Sequence, residues 1–183
     1  MIMGKLELVI GCMFSGKTTK IFDLCKNLTN KNILGINYKE NNRYDTNKLI
    51  THDRKQFDFT NEIQLNKLDE IIINEFYPYY TSSDIIVIDE VQFFSDAYNF
   101  IKNAVNKDNK HVICAGLNGD FNKKPFDVIS LLIPECDELY FLKAKCSCKE
   151  NAIFSKRLVQ NNEQVLIGSS DLYTPVCRKC YNV

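Results

Sequence analysis

Residues 6–18 read LELVIGCMFSGKT, and this stretch decides the fold. Its first five residues form a mostly apolar run that predicts a strand. Residues 11–18 then fit the phosphate-loop spacing G-x-x-x-x-G-K-[ST]. Glycines let the backbone turn so that successive amides converge on phosphate oxygens, and the helix that follows adds its positive N-terminal end. The stretch therefore predicts a nucleotide-binding loop between a strand and a helix.

The loop supplies separate groups for the phosphates and for a metal ion. We expect Lys17 to neutralise charge on the β- and γ-phosphates and the Thr18 hydroxyl to bind Mg²⁺. An acid for the same metal comes from IIVIDE at residues 85–90, where Asp89 ends an apolar run typical of a strand buried on both faces. The residues expected to hold ATP or GTP with Mg²⁺ are Gly11, Ser15, Gly16, Lys17, Thr18, Thr19 and Asp89.

Glu90, directly after Asp89, is the candidate general base. Neighbouring residues on a strand point to opposite faces, so we expect the two acids to serve different purposes. A carboxylate near the γ-phosphate can accept a proton from an attacking hydroxyl group. That hydroxyl belongs to water in an ATPase and to the substrate in a kinase, and the acidic pair alone does not choose between them.

The composition favours an intracellular protein that does not depend on nucleic acid. The chain has 183 residues, and its 23 basic residues balance its 23 acidic ones, whereas nucleic-acid-binding proteins usually carry a basic excess. No apolar run approaches the ~18 residues of a membrane-spanning helix, and the N-terminus lacks a signal-peptide pattern. We expect a cytoplasmic location, where the eight cysteines are thiols or metal ligands and not disulfides.

Strand-like and helix-like patterns alternate along residues 1–142. Apolar runs predict strands at residues 6–10, 33–38, 85–89, 111–117 and 138–142. Apolar spacing predicts helices directly after the glycine loop, over residues 68–77 with an end before Pro78, and over residues 97–105. The polar residues 40–62 predict a mobile loop.

This alternation predicts an α/β fold, with a mainly parallel sheet flanked by helices and ligands bound at the carboxyl edge of the strands. We expect a nucleotide-binding domain over residues 1–142. Residues 143–183 form a second, smaller unit in this interpretation, because the strand pattern gives way there to cysteine and lysine.

Four cysteines cluster near the end of the chain, as CSC at residues 146–148 and CRKC at residues 177–180. The second pair has a common zinc-ligand spacing, and the first has a less usual spacing of one residue. We expect a structural, tetrahedral Zn²⁺ site formed by Cys146, Cys148, Cys177 and Cys180. A redox pair or unliganded thiols are the alternative. The weak basic excess from residue 143 onward favours a metal staple over a nucleic-acid-binding ribbon.

Six segments together form a pattern more specific than the phosphate loop alone. They are GCMFSGKT (11–18), RY with THDR (43–44 and 51–54), IDEVQFF (88–94), GLNGDFNKKPF (116–126), FSKRL (154–158) and VCRKCY (176–181). In this order they resemble the type II thymidine kinases, and the resemblance covers nearly the whole chain. It implies an α/β core, a small zinc-binding domain whose lid or lasso loop folds over a nucleoside, and commonly a homotetramer.

The resemblance also implies the reaction, which is transfer of a phosphoryl group from ATP to the 5′-hydroxyl of thymidine and usually of deoxyuridine. Glu90 then matches the general base, with Lys17, Arg43 and Arg157 around the transferring phosphate. An aromatic pocket suits a flat base. The residues that match nucleoside contacts are Met13, Phe93, Phe121, Ser155, Val165, Leu166, Ile167, Gly168 and Tyr173. Phe126 matches a packing position and is left out of this set.

Three positions depart from the family pattern. One residue separates Cys146 from Cys148 where the family generally has two, Asn41 stands where an acid is frequent, and Val91 replaces a common glycine. None of these removes a proposed catalytic group. The residues themselves leave two other functions open, which are a P-loop ATPase acting on nucleic acid and a nucleotide-dependent zinc-ribbon binding module.

Overall fold

The computed structural model describes residues 3–28, 30–39, 49–50, 55–160, 163–164, 166, 168 and 170–182. Within these residues, one six-stranded sheet forms the centre of the molecule. Its strands are β1 (Lys5–Gly11), β2 (Ile33–Tyr38), β3 (Asn61–Leu65), β4 (Ile85–Ile88), β5 (His111–Leu117) and β6 (Glu138–Leu142). They lie in the order β3-β2-β4-β5-β1-β6, and every neighbouring pair is parallel. The predicted parallel α/β fold is confirmed.

Helices cover both faces of the sheet. The described helices are α1 (Lys17–Lys26), α2 (Glu70–Ile73), α3 (Tyr77–Ser82), α4 (Ala97–Asn106), α5 (Asp127–Leu132) and α6 (Arg178–Tyr181), with 3₁₀ turns at Val91–Phe93 and Ile133–Glu135. One face of β1 packs in an apolar cluster with α4 and α5, and the other packs in a second cluster with α1. None of these helices has the length and hydrophobicity that a membrane crossing needs.

Two sequence predictions about helices and loops are wrong. The helix expected over residues 68–77 is two short helices, and Pro78 lies in the first turn of the second one instead of ending the first. Proline is tolerated there because the first-turn N–H groups have no partner within the helix. Residues 61–65 form β3, which the sequence did not indicate, and α5 was also missed. The rest of the predicted loop at 40–62 falls largely outside the described residues.

The last part of the chain is built from small elements. It contains the hairpin of β7 (Ala144–Lys145) with β8 (Asn151–Ala152), the antiparallel pair β9 (Phe154–Arg157) and β10 (Tyr173–Val176), and α6. We call the described residues from 143 onward the C-terminal unit and those up to 142 the sheet lobe. The domain boundary predicted at residue 143 falls between β6 and β7 and stays a prediction.

The parallel arrangement brings several chain segments to one edge of the sheet. Strands β1, β4 and β5 are neighbours or next neighbours, so the loops after Gly11, Ile88 and Leu117 start side by side. The C-terminal unit packs against this same edge, where Cys12 joins the small apolar cluster that contains Ala152 and Val176. The predicted nucleotide loop therefore belongs to the sheet lobe and lies where this lobe contacts the C-terminal unit.

Candidate active site

The phosphate loop turns sharply between β1 and α1, and two glycines make this turn possible. Gly16 precedes α1 with a φ of 82°, in the left-handed region that glycine adopts without strain. A Cβ on Gly11 would lie 2.7 Å from the carbonyl oxygen of Leu142 and 2.5 Å from Ser15 Oγ. A side chain does not fit at Gly11, so the loop geometry requires both glycines.

The lysine and threonine of the loop reach the positions that a phosphate site needs. Lys17 is buried, and its Nζ donates a hydrogen bond to the carbonyl oxygen of Cys12 at 3.1 Å. Thr18 Oγ1 donates to Asp89 Oδ2 at 2.7 Å. The first turn of α1 and the end of β4 thus bring together the hydroxyl and carboxylate of the predicted magnesium pair. Thr19 follows in the same turn and is half-buried.

Asp89 shares its buried environment with a second acid. Burial, and after it the charge of the adjacent Glu90, raise the pKa of Asp89 to about 6, while the Thr18 hydrogen bond and Lys17 oppose this rise. Two carboxyl groups this close disfavour each other's ionisation. A bound cation would relieve the repulsion, which is the electrostatic situation expected of a metal site.

Asn37, at the end of β2, adds a polar group beside Asp89. Ile36 pairs with Ile88, so the next residues on the two strands are neighbours at the carboxyl edge. Asn37 Oδ1 is buried and has no hydrogen-bond partner within the described part of the chain, and the same holds for Ser15 Oγ in the loop. These groups fit a hydrated metal–nucleotide complex, because Mg²⁺ keeps several water molecules that donate hydrogen bonds and phosphate oxygens accept them. Sequence reasoning missed Asn37, although it is a polar residue in an otherwise apolar strand.

Glu90 has an unusual backbone conformation, with φ 53° and ψ 41°. Left-handed backbone is uncommon in residues with a Cβ and is found at functional sites where the surroundings enforce it. Because β4 ends at Ile88, the alternation along a strand does not separate the two acids as the sequence suggested. The carboxylate of Glu90 is buried, and its Oε2 accepts a hydrogen bond from Gln92 Nε2 at 2.6 Å.

A cleft of about 350 Å³ opens beside the phosphate loop. The predicted nucleoside contacts that line it are Met13, Phe93, Phe121, Ser155, Leu166 and Tyr173. Lining residues outside the predicted set are Leu117, Gly119, Asp120, Phe126 and Gln164. Most of the predicted nucleoside contacts that the structure describes are therefore brought together in one apolar, aromatic cleft.

Among the predicted nucleoside contacts that the structure describes, Gly168 is the one outside the cleft lining. It packs against the side chain of Leu172. Arg43, Val165 and Ile167 lie outside the described residues, so their predicted positions stay predictions.

Asp120 is a buried acid at the cleft that the sequence did not single out. Its Oδ1 accepts hydrogen bonds from the backbone N–H groups of Asn122 and Lys124, both at 2.8 Å. The carboxylate therefore fixes the loop that carries Phe121. The signal available in the sequence was turn chemistry, because aspartate commonly accepts hydrogen bonds from the backbone two residues ahead.

Arg157 and Tyr173 bind the backbone at residues 163, 164 and 166, which we call the closing segment because two of these residues line one side of the cleft. The Arg157 guanidinium donates to the carbonyl oxygens of Glu163 at 2.6 Å and Gln164 at 3.3 Å. It also donates to the Tyr173 hydroxyl at 2.6 Å, and that hydroxyl donates in turn to the carbonyl oxygen of Leu166 at 2.8 Å. Two side chains of the β9–β10 pair thus bind the backbone of the closing segment directly.

The same guanidinium lies over the ring of Phe121, with its Cζ 3.7 Å from the ring centroid. Arg157 is 9% exposed, so this cation–π contact is shielded from water. These contacts direct Arg157 toward the closing segment and the cleft wall. Its predicted part beside the transferring phosphate stays a prediction.

The C-terminal unit is joined to the phosphate loop by two further hydrogen bonds. Ser155 Oγ on β9 accepts from the backbone N–H of Met13 at 2.9 Å. Cys12 Sγ donates to the carbonyl oxygen of Ala152 at 3.5 Å. The position of the phosphate loop therefore depends on the C-terminal unit as well as on β1 and α1.

The four clustered thiols converge as a metal site requires. The sulfur atoms of Cys146, Cys148, Cys177 and Cys180 all lie within 4.8 Å of one another. Tetrahedral Zn–S bonds of about 2.3 Å would place sulfur atoms about 3.8 Å apart. Backbone N–H groups of Cys148 and Cys177 lower the pKa of the Cys146 thiol, whereas the neighbouring thiols raise the pKa of Cys180, so the cluster favours ionisation at some of its sulfurs and opposes it at others. This group of four could hold a metal ion, and its donor set is compatible with zinc.

The unusual one-residue spacing of the first cysteine pair is accommodated by a hairpin turn. The backbone N–H of Lys149 donates to the carbonyl oxygen of Cys146 at 2.8 Å, between β7 and β8, and Lys149 has a φ of 71°. This tight turn brings the thiols of Cys146 and Cys148 to the same side. The departure from the family spacing therefore does not remove Cys146 from the cluster.

The chain matches the family model described as thymidine kinase over residues 4–181. It is 38% identical to Thymidine kinase 1 of Dictyostelium discoideum, over 99% of this chain and 79% of the relative. It is 38% identical to the thymidine kinase of Vaccinia virus (strain Western Reserve) and 40% identical to that of Amsacta moorei entomopoxvirus, over 97% of each chain in both cases. With a match of this length and relatives at this identity, the chain belongs to the thymidine kinase family.

Proposed function

We propose that this protein transfers the γ-phosphoryl group of ATP to the 5′-hydroxyl of thymidine, and also of deoxyuridine, to give the nucleoside monophosphate. The observation that carries the proposal is the placement of Glu90 beside the Thr18–Asp89 pair, at the same sheet edge as the aromatic cleft. The relatives' names as thymidine kinases support the same substrate. An acceptor that fills the cleft would present its hydroxyl group to Glu90.

Each group of the site has one part in the proposed mechanism. Glu90 accepts the proton of the 5′-hydroxyl as that oxygen attacks the γ-phosphorus. Lys17, together with Arg43 and Arg157, offsets the charge that spreads over the phosphoryl oxygens. Thr18 and Asp89 would hold Mg²⁺, which would neutralise phosphate charge when bound. Because phosphoryl transfer needs little covalent chemistry from the protein, catalysis rests on positioning and electrostatics.

The C-terminal unit supplies the wall that closes over the nucleoside. Arg157 and Tyr173 fix the carbonyl groups of the closing segment, and Phe93 and Phe121 offer flat apolar surfaces for a base. The backbone from Val165 to Gly168 would hydrogen-bond the edge of the base. Closure would exclude water, so that ATP reacts with the nucleoside and is not hydrolysed. We therefore assign nucleotide binding to residues 1–142 and nucleoside closure to residues 143–183.

Zinc has a structural part in this proposal. All four clustered sulfurs would serve as ligands, which leaves no position for a reacting water molecule. The free thiols agree with a reducing compartment, and we place the protein in the cytoplasm on that basis.

We propose that the enzyme assembles as a homotetramer. Leu139 and Phe141 are nearly half exposed on β6, an edge strand of the sheet. Exposed apolar side chains on a sheet edge favour burial against another chain, which supports self-association.

A direct assay tests the proposed function. Zinc-loaded protein is incubated with radiolabelled ATP, Mg²⁺ and thymidine, and thymidine monophosphate is separated and counted. We expect Glu90→Gln to lower turnover by about 10²–10⁴-fold with thymidine binding preserved, because the variant keeps the shape of the side chain but not its basicity. Glu135→Gln is the matched control, since Glu135 contacts Tyr98 far from the cleft.

Two results of this assay would contradict the proposal. Phosphate release that depends on DNA or RNA and not on thymidine would indicate an ATPase that acts on nucleic acid. Unchanged turnover in Glu90→Gln would exclude Glu90 as the base.

A further inference from the structure

Gln92 connects the candidate base to the neighbouring strand. It lies in the 3₁₀ turn that follows Glu90 and is 9% exposed. Its Nε2 donates to Glu90 Oε2 at 2.6 Å, and its Oε1 accepts from the backbone N–H of Leu117 at 3.1 Å. One amide side chain thus uses its donor on the carboxylate and its acceptor on the end of β5.

The chemistry of the two partners fixes the orientation of this amide. The backbone N–H of Leu117 can only donate, so it must face the carbonyl oxygen of the Gln92 side chain. The NH₂ group then necessarily faces Glu90. A flipped amide would place two donors against each other at Leu117 and two acceptors against each other at Glu90, and would lose both hydrogen bonds.

Close packing also restricts where the Gln92 side chain can go. A Cβ on Gly116, the residue before Leu117, would lie 2.9 Å from Gln92 Oε1 and 3.0 Å from Val91 Cγ1. The amide therefore rests against the bare backbone of β5, in a space that only glycine leaves open. Both ends of the side chain are held, one by packing and the N–H of Leu117 and the other by Glu90.

Glu90 needs such support because of its own position. It follows Asp89 directly and has left the strand in a left-handed conformation, so the sheet no longer fixes where its carboxylate points. A buried carboxylate requires hydrogen-bond donors, and the NH₂ group of Gln92 is one of them. The NH₂ group of Gln92 is a neutral donor, so it can orient the carboxylate without forming an ion pair that would compete for the substrate proton.

We propose that Gln92 is a positioning residue for the transfer reaction, which holds the Glu90 carboxylate toward the acceptor hydroxyl through a link to the end of β5. The proposal rests on the proposed function, because it takes Glu90 as the base. It concerns turnover and not affinity, since Gln92 does not line the cleft that would hold the nucleoside.

The test is a comparison of turnover and binding in three variants. Gln92→Met keeps the length of the side chain and removes both hydrogen bonds. Gln92→Glu keeps an acceptor for the Leu117 N–H but removes the donor to Glu90 and adds a like charge. Gln64→Met is the matched control, because Gln64 is a half-buried glutamine on β3, outside the cleft lining. Thymidine monophosphate formation gives kcat and KM, and thermal unfolding reports the fold.

We expect Gln92→Met to lower kcat between about tenfold and 10²-fold with KM for thymidine and ATP within twofold, because small misplacements of a reacting group have effects of this size. Gln92→Glu should lower kcat at least as much, even though its anchor to β5 is retained. Gln64→Met should leave kcat unchanged. In a Glu90→Gln background, Gln92→Met should lower the remaining rate by less than twofold, since there is no base left to orient.

Several results would overturn the proposal. These are an unchanged kcat in Gln92→Met or Gln92→Glu, a loss that appears in KM for both substrates, or equal fold losses with and without the Glu90 carboxylate. If Gln92→Met does not fold, the kcat of Gln92→Glu tests the proposal, because this variant retains the acceptor for the Leu117 N–H. If Glu90→Gln has full turnover, the proposed function of Glu90 fails first. If only the Gln92 variants have full turnover, the proposed function stands and this inference fails.

Discussion

The middle of β1 in the sheet lobe is surrounded by apolar side chains on both faces, whereas the interior of the C-terminal unit consists of small side chains and thiols. Leu8 is fully buried in the cluster on one face, and Val9 is fully buried in the cluster on the other. The cluster of the C-terminal unit contains Ala144, Ala152, Val176 and the cysteines around them. The two regions meet at the active site but have different means of staying folded.

The difference follows from size. The sheet lobe is long enough to bury two apolar layers, so hydrophobic burial alone can hold its strands in register. A unit of about 40 residues with two-stranded sheets buries too little apolar surface and needs a staple such as a metal or disulfides. The comparison indicates that the phosphate loop is supported by the packing of the sheet lobe, whereas the C-terminal unit depends on the thiol cluster.

The largest expected effect comes from removing a thiol of the cluster. Cys177→Ser, or chelation of the metal, should unfold the C-terminal unit, because apparent zinc binding energies of about 10–16 kcal/mol are folding energies in small zinc modules. Thymidine phosphorylation should be lost, while circular dichroism still shows the helices and strands of the sheet lobe. Metal analysis measures the loss of the ion, and limited proteolysis shows which part of the chain has unfolded.

Cys136→Ser is the matched control for the thiol variant, since Cys136 lies outside the cluster and donates to the carbonyl oxygen of Ile133. It should retain metal and activity. If Cys177→Ser keeps its metal content and a protease-resistant C-terminal unit, the fold of that unit does not depend on the thiol cluster.

A cavity in the sheet lobe should give the opposite pattern. Leu8→Ala should lower the free energy of unfolding by about 2–5 kcal/mol, because it removes a fully buried side chain from the cluster on one face of the sheet. Urea denaturation measures this loss, and metal content and turnover below the transition should be unchanged. Ile73→Ala, at a side chain 86% exposed, is the control and should change stability by less than about 0.5 kcal/mol. Loss of metal in Leu8→Ala would show that the two regions do not stay folded independently.

Ser155→Ala tests the hydrogen bond that joins the two regions. The variant leaves the buried N–H of Met13 without an acceptor, at a cost of about 1–3 kcal/mol. Because Met13 lines the cleft, we expect part of this loss as a several-fold increase in KM for thymidine, measured by the same assay. Ser130→Ala, on the exposed face of α5, should have no effect on KM. An unchanged KM together with unchanged stability in Ser155→Ala would contradict the proposed coupling.

The sequence predicted well what depends on local pattern. The runs at β2, β5 and β6 matched their observed limits because each is a mostly apolar run with a polar residue directly before and after it. The helix end predicted before Pro78 was wrong, because proline is also common in the first turn of a helix. β3 was missed because its sequence, NEIQL, has no continuous apolar run, and α5 was missed because six residues do not complete two helical turns.

The candidate site likewise contains residues that a local pattern predicts and residues that it does not. Lys17, Thr18 and Asp89 were predicted from spacing, and the contact between Thr18 and Asp89 is the one that spacing implies. Gln92 and Asn37 were missed because their importance depends on neighbours that are distant in sequence. The partner of Gln92 is Leu117, a backbone group 25 residues away, and no motif records such a contact. The tertiary structure alone identifies residues of this kind.

The smallest expected effect concerns a partly buried polar cluster of the sheet lobe, near the amino end of the strands. His111 Nε2 lies 2.9 Å from Glu7 Oε1, and Lys5 and Tyr140 also donate to this carboxylate. Burial lowers the pKa of His111 and outweighs the opposing effect of Glu7. The unfolded chain therefore binds a proton at His111 more readily than the folded one does, so the contribution of His111 to stability should fall as the pH decreases through the ordinary histidine range, about 6.5.

His111→Gln should flatten this pH dependence, because glutamine does not titrate. The measurement is the free energy of unfolding from about pH 8 to about pH 5.5, a window above the range where Glu7 titrates, since the net effect of its surroundings lowers the pKa of that carboxyl. The second histidine, His52, remains in both proteins and serves as the internal reference. If the slope of the unfolding free energy against pH is the same in His111→Gln, the pH dependence arises from another group. The apolar layers would then account for the stability of the sheet lobe without this buried histidine, which would sharpen its contrast with the thiol-held C-terminal unit.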